Sequence, residues 1–183
     1  MITLYLREHG THNSGYSIDF KASLDNYNDS EKLLDDLFEY TKRKLESFGH
    51  EYSYDEIMEE WLITDYEFDD DFSMNIDEYD SLDRLININN QIKGFEKVEL
   101  KLITALMDNG FDFDETIKKI TDGDVLYFEG TLEDWCYEMV EEGLFGDVSE
   151  ALKSFINYKD MAFALSCNDG YYEYDETLSY CLY

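Results

Sequence analysis

The chain of 183 residues carries 44 acidic and 14 basic side chains, no proline, and a formal net charge of −30 at pH 7. That field repels nucleic acid and attracts proteins that bind nucleic acid, so it excludes direct binding of the chain to DNA or RNA. Hydrophobic residues at 44% and aromatics at 16% exclude a disordered acidic tail, because this much apolar surface offsets the entropy of ordering the chain.

In chain order, Ile2 to Leu6 and Tyr16 to Phe20 read as strands around a turn from Gly10 to Gly15. A helix follows from about Ser30 to Phe48, with Leu33, Leu34, Leu37, Phe38, Thr41, Leu45 and Phe48 at helical spacing and Gly49 as its stop. Its other face carries Glu31, Asp35, Asp36, Glu39 and Glu46. Trp61 to Phe68 reads as a further strand, with Trp61, Ile63 and Asp65 on one face and Leu62, Thr64 and Tyr66 on the other. Two helices follow, Ser81 to Ile92 and Glu96 to Met107, separated and ended by Gly94 and Gly110.

Beyond them, Asp114 to Ile120 reads as a short helix and Val125 to Phe128 as a buried strand. Thr131 to Glu142 is a helix that Thr131 and Asp134 can cap. Asp147 and Glu150 offer a capping box before Ala151 to Ile156. The segments Met161 to Leu165, Tyr171 to Tyr174 and Leu178 to Tyr183 surround an Asn168-Asp169-Gly170 turn, which suggests a hairpin or small sheet. The fold class is α+β, in three small units: an N-terminal antiparallel sheet plus helix over 1–63, a central helical unit over 64–110, and a C-terminal mixed α/β unit over 111–183. Each unit is acidic, with 14, 12 and 18 acidic groups against 6, 4 and 4 basic ones.

No segment approaches the roughly 20 apolar residues that span a membrane, and Met1 to Glu8 lacks the form of a signal peptide, so a cytoplasmic protein is expected. Cys136, Cys167 and Cys181 are odd in number and lack CxxC spacing, which reads as buried free thiols. His9, His12 and His50 have no HExxH pattern or cysteine partner and read as surface histidines. The cluster Asp69, Asp70, Asp71, Asp77, Glu78 and Asp80 invites a calcium-loop reading. A loop begun at Asp69 puts Met74 where glycine is needed and Asp80 where a bidentate Glu is expected, so a solvated acidic loop fits better. GxSxG, P-loop and Rossmann glycine patterns are absent, and Cys136 lies in an apolar helical stripe, so no catalytic site, metal or cofactor is expected.

Carboxylates three or four apart on a helix lie about 5–6 Å apart, and alternate strand residues about 6.6 Å apart, so regular rows of anions can form. Duplex DNA carries about one charge per 1.7 Å of axis, and thirty net charges match roughly 50 Å of duplex, about 15 base pairs. From Tyr137 to Leu165 the pattern Tyr-x-x-Val-Glu-Glu-Gly-Leu-Phe-Gly-Asp-Val-Ser-Glu-Ala-Leu-x-x-Phe-Ile-Asn-Tyr resembles the antirestriction motif region of the ArdA family, DNA-mimicking inhibitors of type I restriction-modification enzymes. The stretch Glu59-Glu60-Trp61-Leu62-Ile63-Thr64-Asp65-Tyr66-Glu67, followed by Glu78-Tyr79 and Ser81-Leu82-Asp83-Arg84-Leu85, is similar to the same family in the same order. Ser149 stands where family members often have proline, and Phe155 and Asn157 where Tyr and Asp are common. The N-terminal third keeps an Asn13-x-Gly15 turn but carries a longer helix than the family pattern implies.

The resemblance implies an elongated homodimer whose carboxylates imitate duplex phosphates in the DNA-binding groove of a type I enzyme in a bacterial host cell. Such a protein protects incoming mobile DNA without catalysis, cofactor, metal, nucleic acid or membrane. It places the motif Glu141, Glu142, Gly143, Leu144, Phe145, Gly146, Asp147, Val148, Ser149 and Glu150 near the dimer contact. The candidate phosphate mimics are Glu31, Asp35, Asp36, Glu39, Asp69, Asp70, Asp71, Asp77, Glu78, Asp80, Asp112, Asp114, Glu115, Glu133, Asp134 and Glu138. The alternatives are an acidic calcium-binding or adaptor domain, and a mimic aimed at another DNA-binding complex such as a CRISPR effector.

Overall fold

A computed structural model describes residues 1–13, 15–50, 60–69, 71–168 and 170–183. Asp70, Glu59 and the Asp169 of the expected turn lie outside the described residues. The chain divides into two compact units, Met1–Leu100 and Lys101–Tyr183. Both combine helices with one antiparallel three-stranded sheet, the α+β class expected from the sequence.

The first unit is built on β1 (Ile2–Glu8), which lies between β2 (Phe20–Ser23) and β3 (Trp61–Phe68). Alternation along β1 puts Ile2, Leu4 and Leu6 in the core. Glu8 is on the same side and equally covered, but both its carboxylate oxygens are used. They accept from Gly10 N at 2.7 Å and Thr11 N at 2.6 Å. This cap turns His9–Asn13 into a short helix, α1, where a glycine-bounded turn is expected from the sequence.

The expected strand from Tyr16 begins only at Phe20. Tyr16 spends its N–H on Thr11 O and stacks on Phe48, while Ile18 packs on Leu45. These residues close over the end of the helix and do not pair with β1. In β3 the two-face alternation also fails locally, since Leu62 and Ile63 are both buried. The cause is a bulge: Tyr5 pairs with Asp65 and Leu6 with Ile63, leaving Thr64 unpaired in the register.

The long helix α2 (Ser30–Ser47) follows its expected span. Asp29 caps it by accepting from Lys32 N, and Leu33, Leu37, Thr41 and Leu45 form its buried row. Phe48 and then Gly49, at φ +84°, end it. Helix α3 (Leu82–Ile92), capped by Ser81, buries Leu82, Leu85, Ile86, Ile88 and Ile92. Its Asn89, fully buried, accepts from Ile2 N at 2.8 Å and donates to Asp25 at 3.1 Å. Helix α4 (Lys97–Asp108) has a run from Leu102 to Leu106 that is buried throughout.

In the second unit, α5 (Phe113–Asp122) is followed by the left-handed Gly123, β4 (Val125–Phe128) and α6 (Leu132–Glu141). The four-residue α7 (Glu150–Lys153), α8 (Tyr158–Asn168), β5 (Tyr171–Asp175) and β6 (Leu178–Leu182) complete it. Here β6 is central, between β4 and β5. Because β4 is an edge strand, only Val125 is buried and Leu126 and Tyr127 are exposed, which corrects its reading as a buried strand.

Met161 to Leu165 lies in α8, where a sheet segment is expected from the sequence. Residues 158–168 contain no β-branched side chain, Asn157 accepts from Asp160 N at 3.3 Å at the helix start, and Ala162 and Leu165 meet Leu132, Cys136 and Met139 of α6. The hairpin does form, between β5 and β6, but its turn lies at Glu176 and Thr177.

All three cysteines are free; Cys136 and Cys181 are buried, whereas Cys167 is exposed on α8. His12 is exposed, but His9 and His50 are half-buried, the latter bonded to the Tyr16 hydroxyl.

Asn89 supplies the test of this architecture. Asn89→Ala leaves the Ile2 N–H without its acceptor, and a loss of about 1–3 kcal/mol is expected as a lower urea midpoint at unchanged slope.

Candidate functional site

Helix α2 turns its leucine row inward, so its period forces Glu31, Asp35, Asp36 and Glu39 outward, and all four are exposed. Glu31, Asp35 and Glu39 follow one another at four-residue steps. Like charges in this relation oppose helix formation by about 0.2–0.5 kcal/mol per pair, so the row does not exist for the stability of the helix. The cations of α2 do not neutralise it. Lys32 lies over the Tyr27 ring, Lys42 over Phe38 and Lys44 over Tyr40, while Arg43 donates to Glu39 O. Burial, and then a hydrogen bond to Asp36, push the Tyr27 phenol up to about 12.

The segment after β3 has strand-like alternation without being a strand. Phe72, Met74 and Ile76 are buried, and Asp71, Ser73, Asn75 and Asp77 face outward. Asp69 and Glu78 are exposed as well. Two members of this acidic cluster have local roles: Asp71 pairs with Lys97 at 3.2 Å, and the half-buried Asp80 accepts from Arg84 at 3.0 Å and from Asp77 N. Among the described residues, no group of three or more His, Cys, Asp or Glu side chains is arranged to hold a metal ion.

In the second unit, Asp112 and Glu115 form the capping box of α5, and Asp134 forms that of α6 with Thr131. Their charges also sit at the positive ends of helix dipoles. Asp114, Glu133 and Glu138 are exposed and have no ion pair among the described residues. The candidate carboxylates thus divide into those that hold local structure and those, such as Glu31, Asp35, Glu39, Asp77, Asp114 and Glu138, that face only solvent.

The segment 141–150 joins α6 to α7. Leu144 N bonds Met139 O at 2.9 Å and Gly143 N bonds Val140 O at 3.1 Å, closing the helix around Gly143 at φ +76°. Gly146, at φ +91°, makes a second turn. The loop leaves Leu144 67% and Phe145 51% exposed, Val148 half-buried and Asp147 in solvent. The Asp147 and Glu150 capping box does not form: Ser149 is at the cap position without a side-chain bond, and Glu150 is drawn instead to Lys153 at 2.7 Å.

Leu152, Phe155 and Phe163 are also exposed, Phe155 at 84%, which apolar patterning alone assigns to a core. For Leu152 and Phe155 the available signal is length, since a segment as short as Ala151 to Ile156 cannot bury a face of its own. A buried Cys136 thiol, pushed up to about 11 mainly by desolvation, is a core group and not a nucleophile.

The family model described as Antirestriction protein (ArdA) matches residues 10–180. No curated protein matches the chain.

Two carboxylates have a fixed electrostatic role. The Arg7 guanidinium grips Asp19 through Nε at 2.9 Å and Nη2 at 2.8 Å, and Lys101 bonds Asp175; each cation holds its carboxyl below the usual range. A depressed folded value adds stability above the unfolded value of about 4, and that contribution disappears as pH falls through the folded value. Urea unfolding of Asp19→Asn from pH 6 to 2 is therefore expected to show a flatter acid limb than wild type.

Proposed function

The chain belongs to the ArdA antirestriction protein family, and from that premise we propose that it works as a mimic of duplex DNA in the groove of a type I restriction-modification enzyme. The observation that supports this most is the set of solvent-facing carboxylates without an ion pair among the described residues: Glu31, Asp35 and Glu39 on α2, Asp69, Asp77 and Glu78 after β3, and Asp114, Glu133 and Glu138 on α5 and α6. On α2, Lys32, Lys42 and Lys44 lie over aromatic rings and Arg43 donates to a backbone carbonyl, and on α5 Lys119 lies over Phe111. A target that holds phosphates with Lys and Arg meets a surface of similar charge density. The protein competes with DNA by occupancy, in near-stoichiometric amounts, and consumes nothing. It acts in the cytoplasm of a bacterial host, where entering mobile DNA meets the enzyme.

Exposed Leu144, Phe145, Leu152 and Phe155 favour self-association of the second unit into a homodimer. Apolar side chains in this number on a short stretch support a contact surface.

A distributed field and a single decisive site respond differently to mutation. Exposed ion pairs contribute only about 0.2–1 kcal/mol each, so Asp114→Asn or Glu138→Gln alone is expected to leave inhibition within about twofold of wild type. Amide replacement of Glu31, Asp35, Glu39, Asp69, Asp77 and Glu78 together is expected to weaken inhibition at least about tenfold and to make its salt dependence shallower, with circular dichroism unchanged. Loss of inhibition from one isosteric change in a folded protein would replace the array with a localised mechanism.

Phe145→Asp puts a charge into the proposed apolar contact and is expected to weaken dimerisation in analytical ultracentrifugation. A monomeric wild type at micromolar concentration removes the dimer from this account.

A further inference from the structure

Residues 111–183 set 18 carboxylates against four lysines, and one of those lysines is almost covered. The Lys153 side chain is only 15% exposed, whereas Lys21 and Lys97, also in ion pairs, are 58% and 79% exposed. Its ammonium lies 2.8 Å from Glu141 Oε2 and 2.7 Å from Glu150 Oε1. Glu141 is the last residue of α6 and Glu150 the first of α7. One cation therefore joins the two ends of the loop 142–149. Both acids push the Lys153 pKa upward through their hydrogen bonds, so the charge persists at any physiological pH.

The rest of the loop has little else to hold it. Its first half is tied by the turn bonds at Gly143, Leu144 and Gly146, whereas Asp147 and Val148 make no described hydrogen bond to the body of the unit. Glu141, Glu142, Asp147 and Glu150 would repel one another without the ammonium. Beneath the clasp Tyr158 packs edge-on to Tyr137, with ring centroids 5.4 Å apart, and Tyr158 belongs to the wall of the α6 and α8 core.

We propose that Lys153 is the positioning residue of the 141–150 segment: gripped by Glu141 and Glu150, it fixes the loop in the arrangement that turns Leu144 and Phe145 outward, and self-association through that face depends on it. The proposal rests on the reading that this face meets a second copy of the chain. It assigns the one covered cation of the segment to loop geometry, outside the phosphate-mimicking field.

Amide hydrogen exchange of residues 142–149 and sedimentation velocity of the full chain test it together. Lys153→Met keeps the length of the side chain and removes the charge; it is expected to speed loop exchange at least about fivefold and to weaken association by a similar factor or more, with exchange in α8 unchanged. Lys153→Arg is expected to stay within about twofold of wild type on both measures. If Lys153→Met unfolds the unit, Glu150→Gln decides by the same readouts, because the Glu150 side chain is 87% exposed and its loss leaves the core intact. Wild-type loop exchange in Lys153→Met or Glu150→Gln overturns the clasp, and faster exchange with unchanged association overturns its role in presenting the face. A monomeric wild type refutes the dimer reading, and with it the presenting role, while the exchange measurement still decides the clasp.

Discussion

Mutual repulsion among the carboxylates is the constraint that everything else in this protein must accommodate. A net charge of −30 opposes any compact state, and the chain folds because each unit encloses aliphatic side chains that the charge cannot reach. In the first unit these are the β1 residues Ile2, Leu4 and Leu6 with the leucine row of α2; in the second they are Leu132, Cys136 and Met139 with Ala162 and Leu165. Two buried polar side chains are fully used: Glu8 caps a helix with both oxygens, and Asn89 serves Ile2 and Asp25. Such economy inside allows the surplus of acid to be carried outside.

The few cations follow the same logic. Arg7, Arg84, Lys101 and Lys153 each hold a particular joint of the fold by gripping one or two acids, and several other lysines lie over aromatic rings. Neutralisation is thus local and structural. Glu31, Asp35 and Glu39 on α2, and Asp69, Asp77 and Glu78 after β3, face solvent without an ion pair among the described residues, which is the property a competitor of DNA requires.

Elements governed by local period and capping were legible in the sequence: α2 from its leucine row, β3 from Trp61 to Phe68, and α6 from Thr131 and Asp134. Outward placement of Glu31, Asp35 and Glu39 follows from the same period. Misreadings arose where distant contacts decided. Tyr16 leaves the sheet because Phe48, more than thirty residues away in sequence, offers it a ring to stack on, and the bulge at Thr64 depends on the register with β1. The Met161 to Leu165 run reads as a sheet segment in the sequence, whereas contact with α6 makes it helical. Lys153 carried no sequence signal as a clasp, because its partner Glu141 lies twelve residues away and a loop must close before they meet.

The central claim is that this surface takes the place of DNA. It is tested most directly by the fluorescence anisotropy of a labelled duplex bound to a purified type I enzyme, titrated with the protein at low and at raised salt. The account predicts that the duplex is displaced near equimolar protein at low salt and that displacement weakens steeply as salt rises. Retention of the duplex at full anisotropy under excess protein at low salt would contradict it.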